Sequence, residues 1–351
     1  MERCVTAELM LARTINPEGR PLMDTRDEFT HPVGDHSAWS ESYYFNFVDS
    51  DQEVGMFARM GFRANEGTVD GLCGIYLGGH RVAFIYSRER IGELSDDLRA
   101  GGLSLERVQP FRRWGIRYSG PAQDIGDDRV LVTRRKERPE GWFSPAEASM
   151  DLVFEGLNDP YYSPGGGEHG HFEQVGHVRG TLAVGGRSWT VDGHGVRDKS
   201  WGPRTWQGAG SDLEEPQADE NQSEGPRPFM HWFSMNFGPD YAVGASCGRR
   251  NGEMRGSGWT WRDGKNLILG DITVTSEFEP GSILHNSLAF TGTDEEGVQH
   301  DIDGSLITVT ATKIAMPGGA TFVNEGLARF NAGGRTGFGI AEYWHAVSVG
   351  D

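Results

Sequence analysis

The fold is decided by residues 171–204, which read HFEQVGHVRGTLAVGGRSWTVDGHGVRDKSWGPR. Two runs of alternating apolar and polar residues meet at Gly185-Gly186. A Gly-Gly pair is a two-residue hairpin turn signal, because both residues can adopt positive φ. If Val184 pairs with Arg187, every other pair of the hairpin is fixed. The pattern therefore predicts an antiparallel hairpin of known register.

Polar residues line one face of this predicted hairpin. Side chains alternate along a strand, so every second pair lies on the same face. The pairs on that face are Arg179–Asp192, His177–His194, Val175–Val196 and Glu173–Asp198. The other face is mostly apolar and carries Trp189, Val191, Gly193, Val178, Leu182 and Val184. The polar face is either a solvated outer surface or a functional strip in a barrel or cleft. In such a strip, ionising both Glu173 and Asp198 costs free energy. The pKa of one of them therefore rises, and that group can act as an acid near neutral pH.

Glycine usage extends the β pattern to the whole chain. The 51 glycines among 351 residues are about twice the average share of roughly 7%, and their scatter favours short strands joined by tight turns. We predict an all-β fold of two antiparallel β-barrels or strongly curved β-sandwiches in tandem, with helix content under about 15%. The irregular stretch 136–170 places the domain boundary between residues 1–160 and 161–351. Within the second domain, the acidic segment 208–228 is predicted to be a mobile loop.

Charge and cysteine usage limit the partners. A net charge of −18 argues against a nucleic-acid partner and against an anionic membrane surface, whereas a neutral or apolar small molecule fits. The three cysteines, Cys4, Cys73 and Cys247, are far apart, which is not the pattern of a disulfide framework or a zinc ribbon. The sequence shows no apolar run of the length of a signal peptide or a membrane span. We therefore expect a reduced, cytoplasmic protein, and a homodimer is compatible with this sequence.

A motif in the hairpin resembles a known superfamily. GHGVRDKSWGPR, with HFEQ upstream, resembles a motif of the carotenoid 1,2-hydratase (hydroxyneurosporene synthase) and AttH-like superfamily, whose usual pattern is Gly-x-Gly-x-x-Asp-His-Ser/Asn-Trp-Gly-x-Arg. The matching residues are Gly193, Gly195, Asp198, Ser200, Trp201, Gly202 and Arg204, while Lys199 replaces the usual His. SAWSESYYFNFVD (37–49) and GFGIAEYWH (337–345) extend the resemblance over most of the chain. It implies that the two β-domains are lipocalin-like.

The resemblance and the paired carboxylates together suggest a reaction. The superfamily holds hydratases, pericyclases and members of unknown activity. Hydration or dehydration needs a carboxylic acid held neutral in an apolar pocket, with aromatic faces that stabilise positive charge. We predict a cofactor-free carbon–oxygen lyase, a hydratase or dehydratase of a hydrophobic terpenoid, steroid-like or aromatic molecule. Two alternatives stay open: a cofactor-independent isomerase or cyclase of the pericyclase type, and a lipocalin-like binder without catalysis.

Candidate site residues follow from the same face and from aromatic positions elsewhere. Asp198 is the first choice of proton donor, by resemblance and by its pairing with Glu173. Arg204 is expected to pair with a carboxylate such as Glu342. The candidate catalytic residues are Asp198, Glu173, His171 and His194, and the candidate substrate-binding residues are Tyr43, Tyr44, His177, Trp201, Trp232 and Tyr343. Histidines and carboxylates on this face also suit zinc or non-haem iron, but the resemblance implies no metal, so neither a metal nor another cofactor is expected.

Overall fold

Antiparallel strands make up most of the protein. The computed structural model describes residues 23–163, 169–204, 228–250, 253–316 and 319–348. The predicted mobile loop 208–228 lies, except for Pro228, outside the described residues. Helix within them is limited to four short 3-10 helices: η1 (Thr25–Glu28), η2 (Ala64–Glu66), η3 (Asp128–Val132) and η4 (Arg135–Glu137). The prediction of an all-β fold with little helix is confirmed, and none of the described helices is long and apolar enough to cross a membrane.

The first half of the chain forms an eleven-stranded antiparallel sheet. Its strands are β1 (Trp39–Asp49), β2 (Val54–Arg63), β3 (Thr68–Tyr76), β4 (Val82–Arg90), β5 (Leu98–Ala100), β6 (Leu103–Gln109), β7 (Arg113–Ile125), β8 (Ser144–Gly156), β9 (Tyr161–Tyr162), β10 (Gly170–Val184) and β11 (Arg187–Pro203). The strand order is β4-β3-β2-β1-β11-β10-β8-β7-β6-β5, and β9 pairs with β10. Because β4 also pairs with the end of β7, through Val82 and Ile125 among others, the sheet curls into a ring.

The second half forms a closed eight-stranded barrel. Its strands are β12 (Met230–Asn236), β13 (Tyr241–Arg250), β14 (Glu253–Arg262), β15 (Lys265–Phe278), β16 (His285–Asp294), β17 (Gln299–Met316), β18 (Gly319–Ala332) and β19 (Arg335–Ser348). Consecutive strands pair with each other, and β12 pairs with β19 to close the ring. This is an up-and-down barrel, which leaves no open sheet edge.

The hairpin predicted around Gly185-Gly186 is present as β10 and β11. Gly185 and Gly186 have φ of 56° and 81°, the left-handed conformation that the turn requires. Pairing runs without a register shift from Val184–Arg187 out to Glu173–Asp198 and beyond. The predicted register and the predicted division into a polar and an apolar face are therefore confirmed.

The sheet topology corrects the predicted domain boundary at residues 160 and 161. That boundary places the hairpin in the second domain, but β11 pairs with β1 and β10 pairs with β8, so both strands belong to the first sheet. The physical reason lies in its apolar face, since Val178, Leu182 and Val191 fill the interior of the first sheet. The change from one sheet to the other falls between Pro203 and Met230.

Three apolar clusters organise the packing. One fills the first sheet and includes Tyr43, Phe45 and Trp114. A second fills the closed barrel and includes Phe233 and Phe290. The third joins the outer faces of the two units, because residues of both halves pack together in it. Its members include Tyr44, Tyr76, Tyr161, Val175 and Val196 from the first sheet, and Trp232, Trp259, Leu327 and Ile340 from the barrel.

We predict that Gly195→Ala destabilises the protein, because β1 passes too close to β11 for a side chain at this position. A Cβ on Gly195 would lie 1.8 Å from the carbonyl oxygen of Asn46, so backbone has to move. Such overpacking costs about 2–3 kcal/mol of unfolding free energy, measurable by urea denaturation. Gly92→Ala is the control, since its Cβ meets no atom within 4 Å. Equal stability of the two variants would contradict the close approach.

Candidate active site between the two barrels

The polar strip of the hairpin is buried at one end and exposed at the other. Glu173 is 3% exposed and lies against the outer wall of the closed barrel, whereas Arg179 and Asp192 face solvent. Register places Tyr44 of β1 beside Asp198, and Asp198 beside Glu173, in one row across three strands. The strip is thus a solvated surface where it extends past the barrel and a buried polar row where the barrel covers it.

Two indole rings of the barrel bind the Glu173 carboxylate. The Nε1–H of Trp232 donates to Oε1 at 2.6 Å, and the Nε1–H of Trp259 donates to Oε2. The Nε2 atom of His171 lies 3.6 Å from Oε1, and the other ring nitrogen of His171 bonds Ser163 Oγ at 3.0 Å. Burial raises the pKa of Glu173, with a smaller contribution from the charge of Asp198.

Two more carboxyl groups meet this row from the barrel. Glu325 of β18 and Glu342 of β19 are cross-strand partners, are 3% and 8% exposed, and share a hydrogen bond. Tyr44 Oη donates to Glu325 Oε2 at 2.9 Å, and Trp344 Nε1–H donates to Glu342. Burial raises the pKa of both groups, and the charge of Glu342 raises that of Glu325 further. Two buried carboxyl groups this close cannot both ionise without a large cost in free energy, so the pair holds on to one proton more strongly than an isolated carboxyl group does.

Asp198 is the least buried of these four carboxyl groups. It is partly exposed, whereas Glu173, Glu325 and Glu342 are buried. Its charge contributes to the raised pKa of each of the three. Burial lowers the pKa of Arg59 to about 10, so Arg59 remains charged at neutral pH. The charge of Arg204 lowers this pKa further, and the charge of Asp198 raises it. Arg204 in turn lowers the pKa of Glu342, which agrees with the proximity expected from the sequence.

The remaining predicted site residues lie elsewhere. His177 and His194 share the polar face but stack on each other at the open end, with ring centroids 4.9 Å apart. They are four residues along the strand from Glu173 and Asp198, or about 13 Å. His177 Nε2 contacts Asp192 Oδ1 at 2.5 Å. Burial lowers the pKa of His194. The structure therefore does not bring these two imidazoles to the buried carboxyl groups.

Tyr43 and Trp201 point to the opposite side of the first sheet from Tyr44 and Asp198, because neighbouring side chains alternate. Trp201 stacks on His31 at 3.9 Å and belongs to a small aromatic cluster with Phe172. Tyr43 packs in the interior of the first sheet. The structure therefore does not place either ring against the carboxyl cluster.

Lys199, at the position of the superfamily histidine, occupies this interior side as well. Its Nζ donates to Glu41 Oε1 at 2.6 Å and to the carbonyl of Phe29 at 2.8 Å. Both charged side chains are 0% exposed, and burial lowers the pKa of Lys199. The residue anchors the chain segment before β1 and lies on the other face of the sheet from Asp198.

Tyr343 lies inside the closed barrel, between His231 and His285, with ring centroids at 4.1 and 3.9 Å. His345 lies nearby, and both ring nitrogens of His231 and His345 are buried without a hydrogen-bond partner. Burial lowers the pKa of His231 and of His285 to about 3, and that of His345 to about 4. These rings are neutral at pH 7 and form a polar group separate from the carboxyl cluster.

The chain matches one protein family over most of its length. Residues 24–347 match the model of a domain of unknown function, DUF7064. The chain belongs to the DUF7064 family. None of the curated protein sequences matches it significantly.

Several solved structures have a fold similar to that of this chain. An AttH-like protein from Nitrosomonas europaea has a TM-score of 0.58 at 11% identity, covering 95% of this chain and 98% of that one. Kievitone hydratase from Nectria haematococca has 0.53 at 10%, covering 95% and 96%. CghA with Sch210972 has 0.51 at 10%, covering 90% of each chain. At these identities the likeness shows the fold, and the lipocalin-like two-barrel fold that the sequence resemblance implied is confirmed.

Sequence reasoning missed Glu325 as a site residue, although a signal for it exists. Gly333-Gly334 is another Gly-Gly turn, with φ of 57° and 85°. Counting outward from Ala332 and Arg335 pairs Glu325 with Glu342. Trp259 and Arg59 carry no comparable signal, because their role depends on how the two barrels dock.

We predict that the histidines inside the closed barrel limit stability in acid. Their pKa values are lower in the folded than in the unfolded protein, so their contribution to stability is present above about pH 6.5 and is lost as the pH falls towards 3–4. In His231→Phe, the loss of unfolding free energy between pH 7 and pH 5 should shrink by roughly 1–2 kcal/mol. Denaturant titrations at both pH values measure this. His169→Gln, at an exposed position, should show the wild-type loss, and a wild-type loss in His231→Phe would contradict the prediction.

Proposed function

We propose that this DUF7064 protein is a cofactor-free carbon–oxygen lyase, a hydratase or dehydratase acting on a hydrophobic terpenoid, steroid-like or aromatic molecule. The observation that carries the proposal is the buried Glu325–Glu342 pair near the partly exposed Asp198, in which burial and the charge of Glu342 raise the pKa of Glu325 well above its usual value. Acid catalysis at neutral pH needs a carboxyl group that stays protonated there.

The reaction balances without an added reagent. In dehydration, a carboxyl proton passes to the substrate hydroxyl, the carbon–oxygen bond breaks, and water leaves. A base then removes a proton from the neighbouring carbon, and the C=C bond forms. Hydration is the reverse sequence. Positive charge on carbon is stabilised by aromatic faces, and Tyr44, Trp232 and Trp259 lie beside the carboxyl groups.

Exposure and hydrogen bonding support a division of roles. Asp198 exchanges the proton with the substrate, because it is the carboxyl of the four that is not fully buried. The Glu325–Glu342 pair stores a proton beside it. His171, oriented by Ser163 and next to Glu173, takes the second proton. Trp232 and Trp259 hold Glu173 in place.

We predict that the protein exchanges the hydroxyl oxygen of its substrate with solvent, because dehydration and rehydration pass the oxygen through water. A panel of terpenoid, steroid-like and aromatic alcohols, incubated in H₂¹⁸O and analysed by mass spectrometry, should show ¹⁸O in the hydroxyl of one class. A compound that is bound, or isomerised, without ¹⁸O uptake would instead favour the binder or the cyclase.

We predict that Asp198→Asn and Glu325→Gln each lower the exchange rate by a factor of roughly 10²–10⁴, the usual value of a positioned acid. Both changes keep the side-chain shape but remove the transferable proton. Asp151→Asn, on an exposed position of β8, is the matched control and should exchange at the wild-type rate. Circular dichroism must first show that each variant is folded. Near wild-type exchange by folded Asp198→Asn would rule out this acid.

We predict that Glu342→Gln moves the alkaline limb of the pH–rate profile to lower pH. The charge of Glu342 raises the pKa of Glu325, so removing it lets Glu325 lose its proton at lower pH. Activity that requires this proton then falls at lower pH, while the rate well below the new pKa is retained. An unchanged alkaline limb would show that the pair does not store the catalytic proton.

A further inference from the structure

A second group of ionisable side chains lies at another point where the two barrels meet. His80 is in the turn between β3 and β4, while Asp127 and Asp128 follow β7 at the start of η3. One ligand atom from each of the three lies within 4.8 Å of the other two. Among the residues that the structure describes, no other set of three histidine, cysteine or carboxylate side chains lies this close together.

Asp128 shows that the group is incomplete. Its side chain is 0% exposed, and its Oδ2 accepts hydrogen bonds from Thr308 and Thr310 of the closed barrel. Its Oδ1 is buried and has no hydrogen-bond partner. His80 Nδ1 lies 3.6 Å from this oxygen, beyond hydrogen-bond distance. A buried carboxylate oxygen without a partner costs free energy, so this atom is directed at a place where a ligand would be stabilised.

The backbone holds the donors in position, and space lies beside them. The N–H of Asp128 donates to the carbonyl of His80 at 3.0 Å, which fixes the two residues relative to each other. A cavity of about 50 Å³ lies next to the group; His80 is the donor that lines it, together with Arg129, Glu279 and Thr308 among others. A water needs some 10–15 Å³, so this cavity has room for waters on the His80 side of the group.

We propose that His80, Asp127 and Asp128 bind a divalent transition-metal ion of the zinc and manganese type at the junction of the two barrels. One imidazole nitrogen and two carboxylates form a donor set that suits these ions. Magnesium and calcium prefer an all-oxygen set. Because Asp128 also bonds Thr308 and Thr310, a bound ion links η3 to β17. The site uses none of the residues assigned to acid–base chemistry, so it stands or falls independently of the proposed lyase activity.

Arg129 occupies part of the site when no ion is bound. Its Nε and Nη2 donate to the two oxygens of Asp127 at 2.8 and 2.6 Å. The guanidinium is 47% exposed, so it can move into solvent without opening the core. An arriving cation replaces one positive charge on Asp127 by another. Removing the Arg129 charge should therefore strengthen metal binding.

The experiment is a metal titration of the full chain, free of purification tags and stripped with EDTA. Isothermal titration calorimetry at pH 7.5 uses ZnCl₂, MnCl₂, MgCl₂ and CaCl₂ separately, and the metal content after gel filtration gives the stoichiometry. We expect one Zn²⁺ or Mn²⁺ per chain, bound at least about 100-fold more tightly than Mg²⁺ or Ca²⁺. Absence of stoichiometric binding by either transition metal would overturn the proposal.

Variants locate the ion. Asp128→Asn keeps the hydrogen bonds to the threonines within reach and should weaken binding at least about 100-fold. His80→Gln, at a half-exposed position that tolerates change, should weaken it about 10-fold or more. Arg129→Gln should strengthen it several-fold. Asp192→Asn, which alters an exposed His–carboxylate pair without a third donor, is the matched control. Wild-type affinity in both Asp128→Asn and His80→Gln would place the metal elsewhere and refute this site.

Discussion

Burying carboxyl groups between two apolar surfaces is the constraint on which the rest of the structure depends. An ionised carboxylate in such a place loses its hydration, and the loss is tolerable only with hydrogen-bond donors or a proton. Here the first sheet contributes Glu173 and the donor Tyr44, while the barrel contributes Glu325 and the donors Trp232 and Trp259. Each barrel thus satisfies polar groups of the other. These hydrogen bonds and the apolar cluster around them together hold the two barrels against each other.

The buried carboxyl groups and the histidines inside the closed barrel have opposite effects on how stability depends on pH. The buried carboxyl groups have raised pKa values, so their protonated forms favour the folded state at low pH and stability falls as the pH rises through those values. Asp128, whose pKa burial raises to about 7, belongs to this set. The histidines favour the fold only when neutral. The histidines therefore lower the stability in acid, and the buried carboxyl groups lower it as the pH rises.

Local sequence rules determined the hairpin but not its surroundings. Positive φ at Gly185 and Gly186 fixes a two-residue turn, and the strand period of two then fixes which residue faces which, as far out as Glu173 and Asp198. The same period explains why Trp201 cannot share a face with Asp198. What covers a face is a non-local property. The burial of Glu173 depends on Trp232 and Trp259, which lie 59 and 86 residues further along the chain.

An irregular stretch of sequence before the hairpin is not a domain boundary in this protein. The stretch 136–170 is rich in proline and glycine and resembles a linker, yet it contains β8 and β9, two strands of the first sheet. The first sheet requires β10 and β11 because its interior would otherwise lack Val178, Leu182 and Val191.

The pairing of β1 with β11 also dictates how the chain must assemble. Strand β1 is complete by residue 49, but its partner β11 ends at Pro203. During synthesis, the edge of β1 that pairs with β11 therefore stays unpaired until about 150 further residues have been made. Open edges of this kind pair readily with other chains, and contacts between distant residues form slowly. A fragment that stops near residue 160 would expose β1 and β8 together. The first barrel is thus a unit that can close only after the hairpin, and not merely the N-terminal half, has left the ribosome.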